Sequence, residues 1–236
     1  MAFFSLIIPT FNERENIEEL LDRLDALLRD AAPDGFELLV VDDDSPDGTW
    51  KLAEEIAARN PAVCVLRRTE NRGLALAVVD GWKAARGEWL GVIDADLQHP
   101  PEVLPKLLEA LRGGADLVVA SRHVEGGGVS DWSLFRRMLS RGAQALGILL
   151  LPSAARAVSD PMSGFFALRR EAANLPQLRP LGYKILLETL ARGKFDKIAE
   201  VGYVFQERKK GGSKVTWRQY WEYLVQVWRL RTSSRR

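Results

Sequence analysis

The sequence predicts an α/β fold, a mostly parallel central sheet with helices on both faces. Short apolar runs alternate with stretches of helical periodicity, and four such strand-then-helix units follow one another before residue 122. The runs are also apolar at consecutive positions, as strands enclosed on both faces must be. A chain of 236 residues with 47% hydrophobic content can bury such a core as one large domain.

Each element follows from local pattern. "FFSLII" (3–8) is a buried strand ended by Pro9. The segment 12–30 has apolar residues at 17, 20, 21, 24, 27 and 28, a helical spacing, with Asn12 and Glu15 forming an expected capping box. "FELLVV" (36–41) and the helix 47–60 repeat the unit, as do "AVCVLRR" (62–68) and the helix 73–87. "EWLGVID" (88–94), the helix 101–114 and the strand "ADLVVAS" (115–121) complete the alternation. Beyond it come a basic, apolar helical stretch (133–151) and a strand, "SGFFALRR" (163–170), that returns to the sheet. A helix (182–193), one strand (198–208), a glycine-rich basic loop (209–214) and an amphipathic helix (216–231) follow.

Parallel sheets bind ligands beyond the carboxyl ends of their strands. Those ends read "PTFNE", "DDDSPD", "RTENRG", "DADLQ" and "SRH". In an extended segment Asp94, Asp96 and Gln98 point the same way and offer hard oxygen donors suited to Mg²⁺ or Mn²⁺. The plainer alternative is a helix cap before Pro101. Of the three aspartates 42–44, one is available to a nucleobase or ribose, while Ser45 or Asp47 caps the next helix. No dinucleotide-binding or P-loop glycine motif is present.

Charge is unevenly spread: residues 1–110 hold 11 Lys and Arg against 22 Asp and Glu, and residues 111–236 hold 22 against 10. An acidic half suited to metal and a basic half facing anions fit that split. It disfavours nucleic acid, since the acidic half repels phosphate backbones. Cys64 is the only cysteine, which excludes an intrachain disulfide and a cysteine zinc site.

The ordered set "IIPTFNERENI", "VVDDDSPDGT", "DADLQHPPE", "SRH", "SRGA", "SDPMSGFFALRR" and "VFQERKKGGSK" resembles the polyprenol-phosphate mannosyltransferases. These are inverting family-2 glycosyltransferases of GT-A (Rossmann-like) fold, and the match runs from about residue 3 to 230. The resemblance implies that Pro9, Phe11, Glu13, Val41 and Asp43 line the base pocket. It implies that Asp94, Ala95 and Asp96 hold the sugar nucleotide, and that Asp94, Asp96 and Gln98 hold the metal. Arg122, Arg136 and Ser140 match an acceptor-phosphate site, Arg208 and Lys214 a basic loop over the donor, with Asp96 and Arg122 at the reaction centre. Phe11 stands where tyrosine is common, and Asp44 and Ala75 replace common glycines.

The implied reaction moves mannose from GDP-mannose to a polyprenyl monophosphate. UDP-glucose as donor, or a hydroxyl acceptor with Asp160 as base, are the alternatives on the same scaffold. The implied catalytic domain is 1–208, with a nucleotide-sugar half (1–121) and an acceptor half (122–208), followed by a basic loop and interfacial helix (209–236). Residues 201–236 carry nine Lys and Arg against two Asp and Glu, with Trp217, Tyr220, Trp221, Tyr223 and Trp228 among them. Such a helix suits a membrane surface. With no basic leader before the first apolar run, a peripheral position on the cytoplasmic face of a membrane is expected. Many members of that family continue into membrane-spanning helices, whereas this sequence stops at "RTSSRR"; a soluble-domain type, a membrane-spanning partner and a shortened chain are the three alternatives.

Overall fold

A computed structural model describes residues 3–130, 157–180, 182–208, 225 and 228–229. Strands β1 (Phe4–Thr10), β2 (Phe36–Asp42), β3 (Val63–Arg67) and β4 (Trp89–Val92) alternate with helices α1 (Arg14–Ala31), α2 (Thr49–Ala57) and α3 (Leu74–Ala84). A turn of 3₁₀ helix leads into α4 (Leu104–Arg112), followed by β5 (Leu117–Ser121), β6 (Gly128–Val129) and β7 (Phe166–Arg169). Helix α5 (Ile185–Arg192), β8 (Ile198–Gly202) and β9 (Val204–Phe205) end the described fold. The expected helices 133–151 and 216–231 and the loop 209–214 lie outside the described residues, apart from isolated positions of the last helix.

The main sheet has the order β3-β2-β1-β4-β7-β5-β8. All neighbours run parallel except β7, which lies antiparallel between β4 and β5. The expected return of "SGFFALRR" to the sheet is this strand. Helices cover both faces as predicted. Leu20, Leu24 and Leu28 of α1 pack with Ile56 of α2 and Leu107 and Leu111 of α4 on one face. Val78 and Trp82 of α3 pack with Ile185 and Leu186 of α5 on the other. β1 is buried at every position, so a strand apolar on both sides is what its place at the sheet centre requires.

Two local expectations are corrected. Asn12 does not cap α1: it sits at φ 55°, and the cap position is Glu13, without a side-chain cap bond. The N–H groups of Asn12 and Arg14 donate instead to Ser45 Oγ and Asp47 Oδ2 of the loop after β2, and that of Glu13 to Thr49 Oγ1 at the start of α2. The donors at the helix start are thus satisfied across two loops, which ties both strand ends together. The strand expected over 198–208 is also two strands. β8 stays in the main sheet, and β9 pairs with β6 in a separate two-stranded ribbon. The break follows Gly202, the last residue of β8, where a Cβ would overlap the Glu125 carbonyl, so only glycine lets the chain pass residues 125–127 there.

Candidate active site

The carboxyl edge of the sheet gathers three groups of side chains. The first surrounds the end of β2, where each aspartate has a separate task. Asp42 is fully buried and accepts from the Ser45 N–H and hydroxyl and from Thr10 Oγ1. Asp43 accepts from Arg68 Nη1 and the Gly73 N–H, each at 2.6 Å. Burial raises its carboxyl above the ordinary value against the pull of Gly73 and Arg68, with Asp42 adding to the rise. Asp44, at φ 56°, pairs outward with Arg67 and Arg72. Beside them opens a cavity of about 410 Å³ bordered by Phe11, Ser45, Trp50 and Arg67. The Arg67 guanidinium stacks 3.7 Å from the Trp50 ring centre, and Phe11 is 42% exposed, an open aromatic face. The side chains of Pro9 and Val41 are enclosed in the sheet.

The second group follows β4. The extended alternation expected for Asp94, Asp96 and Gln98 is not what forms. The strand ends at Val92, and the chain turns through Leu97 at φ 59°. The Gln98 N–H folds back onto Asp96 Oδ1 at 3.1 Å. The Gln98 side chain donates to the Gln206 carbonyl, and the Gln206 N–H returns a bond to the Gln98 carbonyl. Arg208 Nη2 bridges Asp96 Oδ2, at 2.8 Å, and Glu13 Oε1, at 3.5 Å. Three residues read separately in the sequence thus meet around one guanidinium. Asp94 Oδ1 is buried with no hydrogen-bond partner among the described residues, and Asp94 Oδ2 lies 3.3 Å from His99 Nε2. Ala95, between the two carboxylates, is buried.

These donors fit a divalent cation. A buried, unpartnered carboxylate oxygen calls for a ligand. Among the described residues no three His, Cys, Asp or Glu side chains converge as a finished cage. Mg²⁺ and Mn²⁺ characteristically take one or two carboxylates and complete their shell with water and substrate phosphates.

The third group lies beyond β5. Asp160 accepts three bonds from Arg122: from Nε at 2.7 Å, Nη2 at 2.8 Å and the backbone N–H at 3.1 Å. Burial pushes the Asp160 carboxyl up, but the Arg122 bonds and charge outweigh it and hold the group below the ordinary range. The Asp160 carbonyl also accepts from the Ser163 N–H, so the residue shapes its own turn. Behind it, Ser159 bonds Ser121 and Glu200, which fixes this loop to β5 and β8. Arg136, Ser140 and Lys214 lie outside the described residues.

One residue here was not anticipated. Lys184, just before α5, donates to the Met162 carbonyl at 3.1 Å. Burial, then the Arg122 charge, lower its pKa to about 8, against the attraction of Asp94 and Asp160. Its sequence signal is a lysine immediately before the apolar helix start "ILLETL". Only the fold brings it to the carboxylates.

Residues 5–175 match the family described as glycosyl transferase family 2. The chain is 48% identical to the dolichol-phosphate mannosyltransferase of Pyrococcus furiosus over 96% of its own length, and spans 63% of that relative. It is 39% identical to the undecaprenyl-phosphate mannosyltransferase of Micrococcus luteus, over 97% of this chain and 94% of that one. Among solved structures it is similar to the mannosyl-3-phosphoglycerate synthase of Rubrobacter xylanophilus, with a TM-score of 0.69 and 25% identity. That likeness covers 100% of this chain and 76% of the other.

Proposed function

The chain belongs to glycosyl transferase family 2, and from that premise we propose that it transfers mannose from GDP-mannose to a polyprenyl monophosphate. The observation that carries the acceptor class is the Arg122–Asp160 pair. A hydroxyl acceptor needs a general base, whereas Asp160 is held ionised by three bonds to Arg122 and is a weak one. A phosphate is already anionic at neutral pH and needs no base.

In the proposed reaction an acceptor phosphate oxygen attacks the anomeric carbon in line. The bond from that carbon to the donor diphosphate breaks, its electron pair leaves with the diphosphate, and configuration inverts. Phe11 and Asp43 take the nucleoside, Arg122 with Arg136 and Ser140 takes the acceptor phosphate, and Arg208 with Lys214 faces the leaving diphosphate. Arg suits such contacts because its fork binds phosphate oxygens in pairs. Asp94, Asp96 and Gln98 would hold Mg²⁺ or Mn²⁺, which supplies positive charge for the diphosphate. Among the described residues no helix is long and apolar enough to cross a membrane. The charge of segment 201–236, nine Lys and Arg against two Asp and Glu, supports an approach to the lipid at a membrane surface, and a membrane-spanning partner is the alternative route.

The test is a transfer assay with short polyprenyl phosphate and Mn²⁺ or Mg²⁺, comparing radiolabelled GDP-mannose and UDP-glucose with and without chelator. Lipid-linked mannose that disappears with chelator is the expected result. Label from UDP-glucose alone would reassign the donor, and no lipid product with either would overturn the acceptor class. In the same assay Asp96→Ala should lose transfer by at least about 100-fold while keeping its melting temperature. Normal turnover would remove Asp96 from the reaction centre.

A further inference from the structure

His99 follows the carboxylate turn and is 3% exposed. Its ring sits in an aromatic box, with Phe165, Tyr203 and Phe205 ring centres 5.7, 5.3 and 5.2 Å away. A phenylalanine would fill that box without polar cost. The imidazole instead leaves Nδ1 buried with no hydrogen-bond partner among the described residues, an unfavourable arrangement. What it gains among the described residues is a polar contact with Asp94, Nε2 lying 3.3 Å from Oδ2. Contact with a carboxylate assigns the ring proton to Nε2.

The other side of the same oxygen is confined as well. A Cβ at position 164 would overlap Asp94 Oδ2 and press on Oδ1 at 3.1 Å, so any side chain there would push the carboxylate out of its present place. Oδ2 thus lies between the imidazole and the Gly164 backbone, and Oδ1, buried without a hydrogen-bond partner among the described residues, is the oxygen left for a ligand. A carboxylate otherwise swivels easily about its last torsion.

We propose that His99 is a positioning residue for the transfer reaction: its Nε2–H and the bare Gly164 backbone fix which Asp94 oxygen is presented at the donor end of the site. The box also links that orientation to the far half of the chain, since Phe165 precedes β7 and Tyr203 and Phe205 belong to the β8–β9 segment. The inference rests on the proposed function only in taking Asp94 to face cation or donor.

The experiment compares His99→Phe, which keeps shape and loses the donor, with His99→Gln, which returns an N–H near Nε2, and with Gly164→Ala, which displaces Oδ2 from the opposite side. For each full-length variant kcat and KM for transfer, melting temperature, and Mn²⁺ affinity in the presence of GDP by electron paramagnetic resonance are measured. His99→Phe should lose about 10- to 100-fold in kcat or Mn²⁺ affinity, the range for outer-shell partners of a ligating group, without a lower melting temperature. His99→Gln should recover most of the loss, and Gly164→Ala should reproduce it with His99 intact. Wild-type values in both His99→Phe and Gly164→Ala would overturn the proposal, and so would equal impairment of the Phe and Gln variants. If wild type transfers nothing, the proposed function fails, and Mn²⁺–GDP affinity still decides the role of His99.

Discussion

Asp160 with Arg122 and Asp43 with Arg68 are two ion pairs at one sheet edge, alike in burial and opposite in character. The side chains are 1% and 10% exposed in the first pair and 8% and 6% in the second. Burial raises both carboxyls, yet Asp160 ends below its ordinary value and Asp43 above it. Bonding decides the difference. Arg122 gives Asp160 a two-pronged contact and its own N–H, all from one residue. Asp43 receives the Gly73 N–H and one prong of Arg68, which spends its others on Asp80 and the Asn71 carbonyl, while Asp42 adds like charge. Asp160 is committed to orienting Arg122. Asp43, with two bonds against the three of Asp160, is the less committed carboxylate, in keeping with the ligand role proposed for it.

The largest effect is expected where the committed pair is cut. Asp160→Asn leaves Arg122 buried without its counter-charge, and breaking such pairs costs about 3–5 kcal/mol. Denaturant unfolding at neutral pH should show that loss, with transfer down by at least about 100-fold. The pH dependence follows from the depressed folded value. The stabilisation is complete above the unfolded carboxyl range near about 4 and is lost as pH falls through the lower folded value. Wild type should therefore lose more stability on acidification than the Asn variant. A loss below about 1 kcal/mol would put this pair with ordinary surface bridges.

The contrast sharpens at Asp43, where the sign reverses. A carboxyl raised in the folded state binds its proton more tightly there, so stability falls as pH rises through the raised value. At neutral pH the ionised group costs stability, and Asp43→Asn removes that cost along with one Arg68 contact. Net unfolding stability should change by less than about 1 kcal/mol, while GDP affinity by titration falls about tenfold, as for a lost charged hydrogen bond. Destabilisation as large as that of Asp160→Asn would erase the distinction between the pairs.

The sheet edge formed by β1 to β5 was more legible in the sequence than the region beyond residue 121. Up to there, strand ends lie next to the residues they present, and hydrophobic periodicity located β1 to β5 with small boundary shifts. Partners distant in sequence were not legible. Asn12 looked like a cap because Ser45, its acceptor, lies 33 residues away. Gln98 looked extended because Gln206, 108 residues on, is what turns it. Arg208 was read as part of a loop over the donor, but nothing local indicated that it bridges Asp96 and Glu13. Lys184 was missed altogether, since a lysine before an apolar helix carries no sign of buried carboxylates nearby.

Lys184 offers the smallest effect and the finest test, because stability and activity should move in opposite directions. Its pKa of about 8 lies below the ordinary 10.5, so between these values the unfolded chain holds a proton that the folded chain has released. Stability should therefore rise with pH across that window, and below it the charged ammonium costs its full penalty. The whole shift corresponds to roughly 3 kcal/mol, but the side chain is only half-buried, and solvent screening reduces the expected figure to about 1 kcal/mol. Lys184→Met should be more stable than wild type by that amount at pH 7, and the gap should close as pH rises above 8. Burial raises Cys64 and Tyr203 too, which pulls stability the other way at high pH. Both variants share those groups, so the difference between their unfolding curves isolates Lys184. Transfer should meanwhile fall, since a positive charge beside Arg122 is lost from the proposed acceptor site. A Met variant that is less stable at pH 7, with the gap constant to pH 10, would show that the ammonium is held by favourable contacts and that its charge is part of the fold.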